Sequence, residues 1–168
     1  VTDHHEPPKI LPNAHATINP HQKGCAYPDK NLSGVSIAFK LCQALSSELN
    51  NRNFWKHLDL VSLGTVSDIA PILGENRILV KEGLKLLKNI GSNKGIKALI
   101  EVSGIKKDKI GAFEIGFILG PRINAAGRLG SAGTAVELLL TDDDEKANSL
   151  AKKLNKANQE RQRIEKDT

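Results

Sequence analysis

The sequence predicts an α/β unit that is helix-rich over most of its length, and three observations point there. Two short extended stretches open the chain, one ending near Thr2 and one over residues 14–19, stopped by Pro20. From Ser33 onward, apolar residues recur at spacings of three and four, the helical period. Only 4% of the 168 residues are aromatic against 39% apolar. The core is therefore built mostly from Leu, Ile, Val and Ala, as where helices pack on helices or on a sheet.

The elements follow in order. Glu6-Pro7-Pro8 and Leu11-Pro12-Asn13 exclude regular structure, and residues 21–31 form a loop of turn formers. Ser33 and Gly34 start a helix whose apolar residues Val35, Ile37, Ala38, Leu41, Cys42, Leu45 and Leu49 form a wide buried face. Residues 59–71 are almost wholly apolar until Asp68, near the end; a buried helix fits them, with a strand as the alternative for so short a run. Residues 75–90 form an amphipathic helix with Ile78, Leu79, Leu84 and Leu87 inside, and residues 96–102 a short helix before Gly104. Glycines at 116, 120, 127 and 130 make residues 113–130 a glycine-rich loop whose backbone approaches a ligand closely. Ser131 caps a helix through Leu140. Thr141 and three aspartates begin the last helix, with Ala147, Leu150, Leu154, Ala157 and Ile164 on one side. That helix is polar over most of its surface and still running at Thr168, as helices that bridge domains are.

Composition narrows the function. No stretch approaches the roughly 20 apolar residues that span a bilayer, and no signal peptide precedes the first motif, so no membrane partner is expected. Cys25 and Cys42 lack any clip spacing and read as free thiols in a reducing, cytoplasmic setting. The net charge of +5 is unevenly spread: eight lysines fall between Lys81 and Lys109, and seven basic residues between Lys146 and Thr168. A polyanion partner such as nucleic acid and plain solvated helix faces both account for these stretches.

Asp3, His4 and His5 follow an extended stretch directly, where α/β sheets hold metals and substrates. An ordinary turn is the alternative. Asp68 adds weight, because a carboxylate ending an apolar segment is costly to bury unless it is paired or binds a cation. Imidazole with carboxylate suits Mn²⁺, Mg²⁺ or Fe²⁺ better than structural Zn²⁺. His15, His21 and His57 show no ligand spacing. A chain that opens on such a motif reads as a piece excised from a metal-dependent enzyme, with Thr168 as a second cut.

These residues carry a resemblance. Thr2-Asp3-His4-His5-Glu6 resembles the signature of the DHH phosphoesterase superfamily. Leu32-Ser33-Gly34-Val35, residues 62–68, Gly74-Glu75-Asn76-Arg77, residues 120–129 and the 158–162 run are similar, in that order, to its RecJ branch of single-strand-specific DNA exonucleases. The resemblance covers essentially the whole chain. It implies a parent domain with a parallel sheet, residues 1–141 being the C-terminal part of the DHH catalytic domain and residues 142–168 the start of an interdomain helix. It implies that Asp3, His4, His5 and Asp68 are catalytic, with His4 and Asp68 ligating Mn²⁺ or Mg²⁺. The first two motifs precede Val1, and a DHHA1 domain follows the end.

The implied reaction is 5′→3′ exonucleolytic hydrolysis of single-stranded DNA in recombination and repair, with replication or repair proteins as possible partners. Two divalent ions about 3.5–4 Å apart activate water and neutralise the phosphoryl charge in such chemistry. Arg122, Asn124 and Arg128 suit phosphate binding through forked and polar hydrogen bonds, unless the arginines pair with Glu114 or Glu137 at a helix terminus. Two other readings stay open: a DHH phosphodiesterase acting on cyclic dinucleotides or nanoRNA, and a non-catalytic RecJ-like binding protein.

Overall fold

The computed structural model describes residues 1–49, 53–89, 93–127 and 132–166, together with the backbone of 128 and 129. By contacts the chain divides into two units, Val1–Gly83 and Leu84–Thr168.

In the first unit, the two opening stretches meet at one parallel bridge, Thr2 with Ile18. Asp3 N–H donates to Ile18 O at 3.0 Å and Ile18 N–H to Val1 O at 2.8 Å. Among the described residues no longer strand forms, so the expected strand over residues 14–19 shrinks to this bridge; two strands without a third are marginal in water. The helices are α1 (Gly34–Glu48), α2 (Leu58–Ser67) and the first part of α3 (Gly74–Asn89), with a 3₁₀ turn at Asn53–His57. The apolar run after Asp59 is thus a helix, not a strand.

Ser33 caps α1, its side chain accepting from Ser36 N–H. The face α1 buries is Ser36, Ile37 and Phe39, whereas Leu45 and Leu49 are exposed. Phe39 packs against Phe54 and Trp55, with ring centroids 5.4 and 5.7 Å away. On α3, Ile78 points outward against expectation, while Leu79, Val80 and Leu87 are buried. Gly83 turns its bare Cα to α2, where a Cβ would lie 2.1 Å from Leu58 O. The N-terminus of α3 is held from outside: Glu75 N–H donates to Asp29 Oδ2 at 2.9 Å, and the Glu75 carboxylate takes Lys40 Nζ at 3.0 Å and the Tyr27 hydroxyl.

The second unit contains α4 (Lys94–Ser103), a 3₁₀ turn at Lys107–Lys109, α5 (Ala112–Glu114), a π-helical turn at Ile115–Leu119, α6 (Gly120–Leu129), α7 (Gly133–Leu140) and α8 (Asp144–Lys166). Helix α8 packs on α4, α6 and α7. Its Ala147, Ala151 and Leu154 are buried, as are Ala125 and Ala126 of α6, and such small side chains let helices approach closely. Asn93 caps α4 by accepting Ile96 N–H at 2.9 Å, and Gly104 ends it at φ 73°.

Residues 113–129 are not a loop. The glycines there lie in one continuous helical stretch, and the reason it bends register is Pro121. Proline has no N–H for an i−4 bond, and the helix passes it through a π turn in which Gly120 N–H reaches Ile115 O. Residues 130 and 131, including the expected cap Ser131, lie outside the described residues.

Candidate metal centre

The parallel bridge delivers Asp3, His4 and His5 in a tight turn. Asp3 Oδ1 accepts His4 N–H at 2.7 Å and His5 N–H at 3.2 Å, and meets His5 Nδ1 at 2.8 Å. These bonds, the His5 imidazole first, hold the Asp3 carboxyl down at a pKa of about 2. Buried Asn19 secures the far side, donating to His5 O at 2.8 Å and accepting His21 N–H at 2.9 Å. His21 itself pairs with Glu6 at 3.1 Å.

Asp68 arrives from α2, at whose C-terminus it stands, its N–H bonded to Gly64 O. The next residue, Ile69, has φ 58°, a left-handed conformation unfavourable for a β-branched residue. Ala70 N–H closes the turn on Thr65 O at 3.2 Å. The result is that His4 Nε2 lies 3.4 Å from Asp68 Oδ2. Cis ligands of one octahedral ion at roughly 2.1 Å stand about 3 Å apart, so this spacing suits a shared cation. The ring of His5 lies 4.2 Å from that of His4, and the ligand atoms of Asp3, His4 and His5 fall within 4.8 Å of one another. No thiolate joins the set, and imidazole with carboxylate suits Mn²⁺ or Mg²⁺.

The structure thus brings together the four residues expected to be catalytic, but corrects the argument used for one. Asp68 is exposed, with 43% of its side chain accessible; the buried carboxylate of α2 is Asp59, 2% exposed and bonded to Leu60 N–H. Position opposite His4, not burial, is what singles Asp68 out. Sequence reasoning missed Asn19, and it quoted Gly34 only as part of a motif without giving it a role. The available signal was a polar residue directly after the second extended stretch and a glycine directly after the helix cap Ser33.

The expected phosphate-binding residues belong to the second unit. Arg122 is half-buried, its Nε donating to Asn155 Oδ1 at 2.9 Å and its Nη1 to Ile118 O at 2.6 Å, and burial pushes its pKa down. Asn124 is exposed on α6. The Arg128 side chain lies outside the described residues. Of the acids weighed as arginine partners, Glu114 binds Gly111 N–H and Glu137 pairs with Lys146.

Residues 1–65 match the family described as DHH family, N-terminal domain. The single-stranded-DNA-specific exonuclease RecJ of Dickeya dadantii is 44% identical, covering 98% of this chain and 31% of that protein. The Escherichia coli RecJ is 43% identical, with 98% and 30% covered. The crystal structure of Thermus thermophilus RecJ in complex with Mn²⁺ superposes with a TM-score of 0.88 at 38% identity, over 99% of this chain and 24% of that one. A manganese-bound exonuclease RecJ structure gives 0.86 at 37%, over 97% and 40%. The chain belongs to the DHH family. Within that family it is of the RecJ type, and it spans between a fifth and a third of the length of the curated relatives it matches.

Proposed function

We propose that this chain is part of a single-stranded-DNA-specific 5′→3′ exonuclease that hydrolyses phosphodiesters with Mn²⁺ or Mg²⁺ in recombination and repair. The observation that carries the reading is the convergence of His4 and Asp68, 3.4 Å apart, beside Asp3 and His5. His4 Nε2 and Asp68 Oδ2 would hold the ion, with Asp3 held ionised next to them. The bound metal would supply an activated water and neutralise phosphoryl charge. His5, tied by Nδ1 to Asp3, keeps its imidazole oriented to donate to a phosphate oxygen or align water. Arg122, Asn124 and Arg128 would bind the strand's phosphates. The named RecJ relatives favour this over cyclic-dinucleotide or nanoRNA cleavage, and intact ligand positions favour it over a non-catalytic role.

In the whole protein, residues 1–141 would complete a parallel-sheet domain, of which the Thr2–Ile18 bridge is one rung, and residues 142–168 would lead into the interdomain helix. Free thiols at Cys25 and Cys42 fit the cytoplasm. The test is Mn²⁺ binding and single-strand hydrolysis by a polypeptide of the relatives' length carrying His4→Ala or Asp68→Ala. Both variants lose hydrolysis and bind Mn²⁺ more weakly while circular dichroism is retained. Near-normal turnover in either would refute the assignment. The 168-residue chain alone should show little nuclease activity.

A further inference from the structure

We infer that Asn76, which touches neither His4 nor Asp68, is a positioning residue for that pair. The inference rests on the metal reading of the site.

Asn76 is fully buried, and each of its polar atoms is engaged. Its Nδ2 donates to Asn31 O at 2.6 Å and to Pro71 O at 3.1 Å, and its Oδ1 accepts from Ser36 Oγ at 3.1 Å. Ser36 Oγ lies 2.8 Å from Ser33 Oγ and 3.2 Å from Thr65 Oγ1, and Ser33 meets Thr65 at 2.7 Å. All four residues are at most 1% exposed.

The network has two outlets. Ser33 is the cap of α1 and adjoins Gly34, against whose Cα the His4 imidazole rests. On the other side, the network holds Thr65 by its hydroxyl and Pro71 by its carbonyl, and these two residues stand before and after Asp68 and the left-handed Ile69, in a turn that Ala70 N–H closes on the Thr65 backbone carbonyl. An apolar cluster of the same shape would serve stability as well or better, because desolvating these groups offsets most of what their bonds return. What directional bonds add is a single orientation of α1, α2 and the Asp68 turn relative to one another. A ligand pair whose two members come from different segments requires that.

Asn76→Asp tests it, since it keeps the shape while setting an acceptor against two carbonyls. Mn²⁺ dissociation constants are read from the free-ion electron paramagnetic resonance signal, well below the melting temperature. Val61→Ala, a cavity variant in buried α2, is the stability control. Asn76→Asp should weaken Mn²⁺ binding about tenfold or more, the usual effect of losing an outer support. It should also speed amide exchange at Ile69 and Ala70, whereas Val61→Ala leaves both unchanged. Should Asn76→Asp fail to fold, Ser36→Ala decides, with a weakening of about threefold or more expected. Unchanged affinity in the folded variant, or equal weakening in Val61→Ala, overturns the inference. If His4→Ala also binds Mn²⁺ like the unsubstituted chain, the metal reading falls first and this inference with it. If His4→Ala loses binding but the Asn76 variant does not, only the positioning role fails.

Discussion

Gly34 forms the wall behind the His4 imidazole: a Cβ on Gly34 would sit 3.2 Å from His4 Cδ2 and 3.7 Å from Nε2. The ring can stand opposite Asp68 because the first residue of α1 has no side chain.

Gly34→Ala should therefore push the imidazole by a few tenths of an ångström while leaving the fold intact. The expected outcome is Mn²⁺ binding weakened severalfold with urea stability changed by less than about 1 kcal/mol, since alanine favours the helix. Titration and urea melts on one preparation check both.

Gly83→Ala and Gly95→Ala should behave differently. Their Cβ atoms would stand 2.1 Å from Leu58 O and 2.0 Å from Leu138 O, which are backbone atoms and cannot swing aside. Each substitution should cost about 3 kcal/mol of stability by forcing its helix off its neighbour, measured by urea denaturation.

Ile69→Gly should raise stability by about 1 kcal/mol. A β-branched residue at φ 58° costs about 1–3 kcal/mol, and glycine returns part of that as unfolded-state entropy. Because Ile69 is exposed, little packing is lost. Chemical denaturation measures the gain.

Lys94 and Asp144, 2.8 Å apart, tie α4 to α8. The hydrogen bond from Lys94 holds the Asp144 carboxyl below its ordinary value, and its counterpart raises the Lys94 ammonium. For Asp144 the contribution to stability is complete above the unfolded carboxylate pKa and vanishes as pH falls through the folded value. For Lys94 it is complete below the unfolded lysine pKa and vanishes as pH rises through the folded one. Lys94→Gln should return Asp144 toward the ordinary range in a carboxyl NMR titration.

The helices were legible because their periodicity is local, and Asp3, His4, His5 and Asp68 could be named as candidates because imidazole beside carboxylate suits a metal and their segments resemble a known family; the 3.4 Å approach of His4 to Asp68 is a tertiary fact. What sequence obscured was tertiary. Ile78 follows the helical period yet faces out, because α3 buries Leu79 and Val80 and turns Gly83 to α2 instead. Asn76 stands in the sequence only as one residue of the run Gly74-Glu75-Asn76-Arg77, and only the fold reveals that its partners are Asn31, Ser36 and Pro71. The run from Phe113 to Leu129 reads as a loop because glycine density normally marks one, but here those glycines lie within helices.

The π turn before Pro121 makes the length of this segment a matter of angle. Each residue of an α-helix turns the chain by about 100°. An extra residue in a regular helix would therefore swing everything after it around the axis, but the wider turn at Ile115–Leu119 takes one up: with a residue deleted there, the bond from Gly120 N–H to Ile115 O becomes an ordinary i−4 bond, Arg122 still faces Asn155 and α6 still lies on α8. A family that drifts by insertion and deletion can shed a residue at this turn without a change of face, whereas one lost from α6 itself would bring that change.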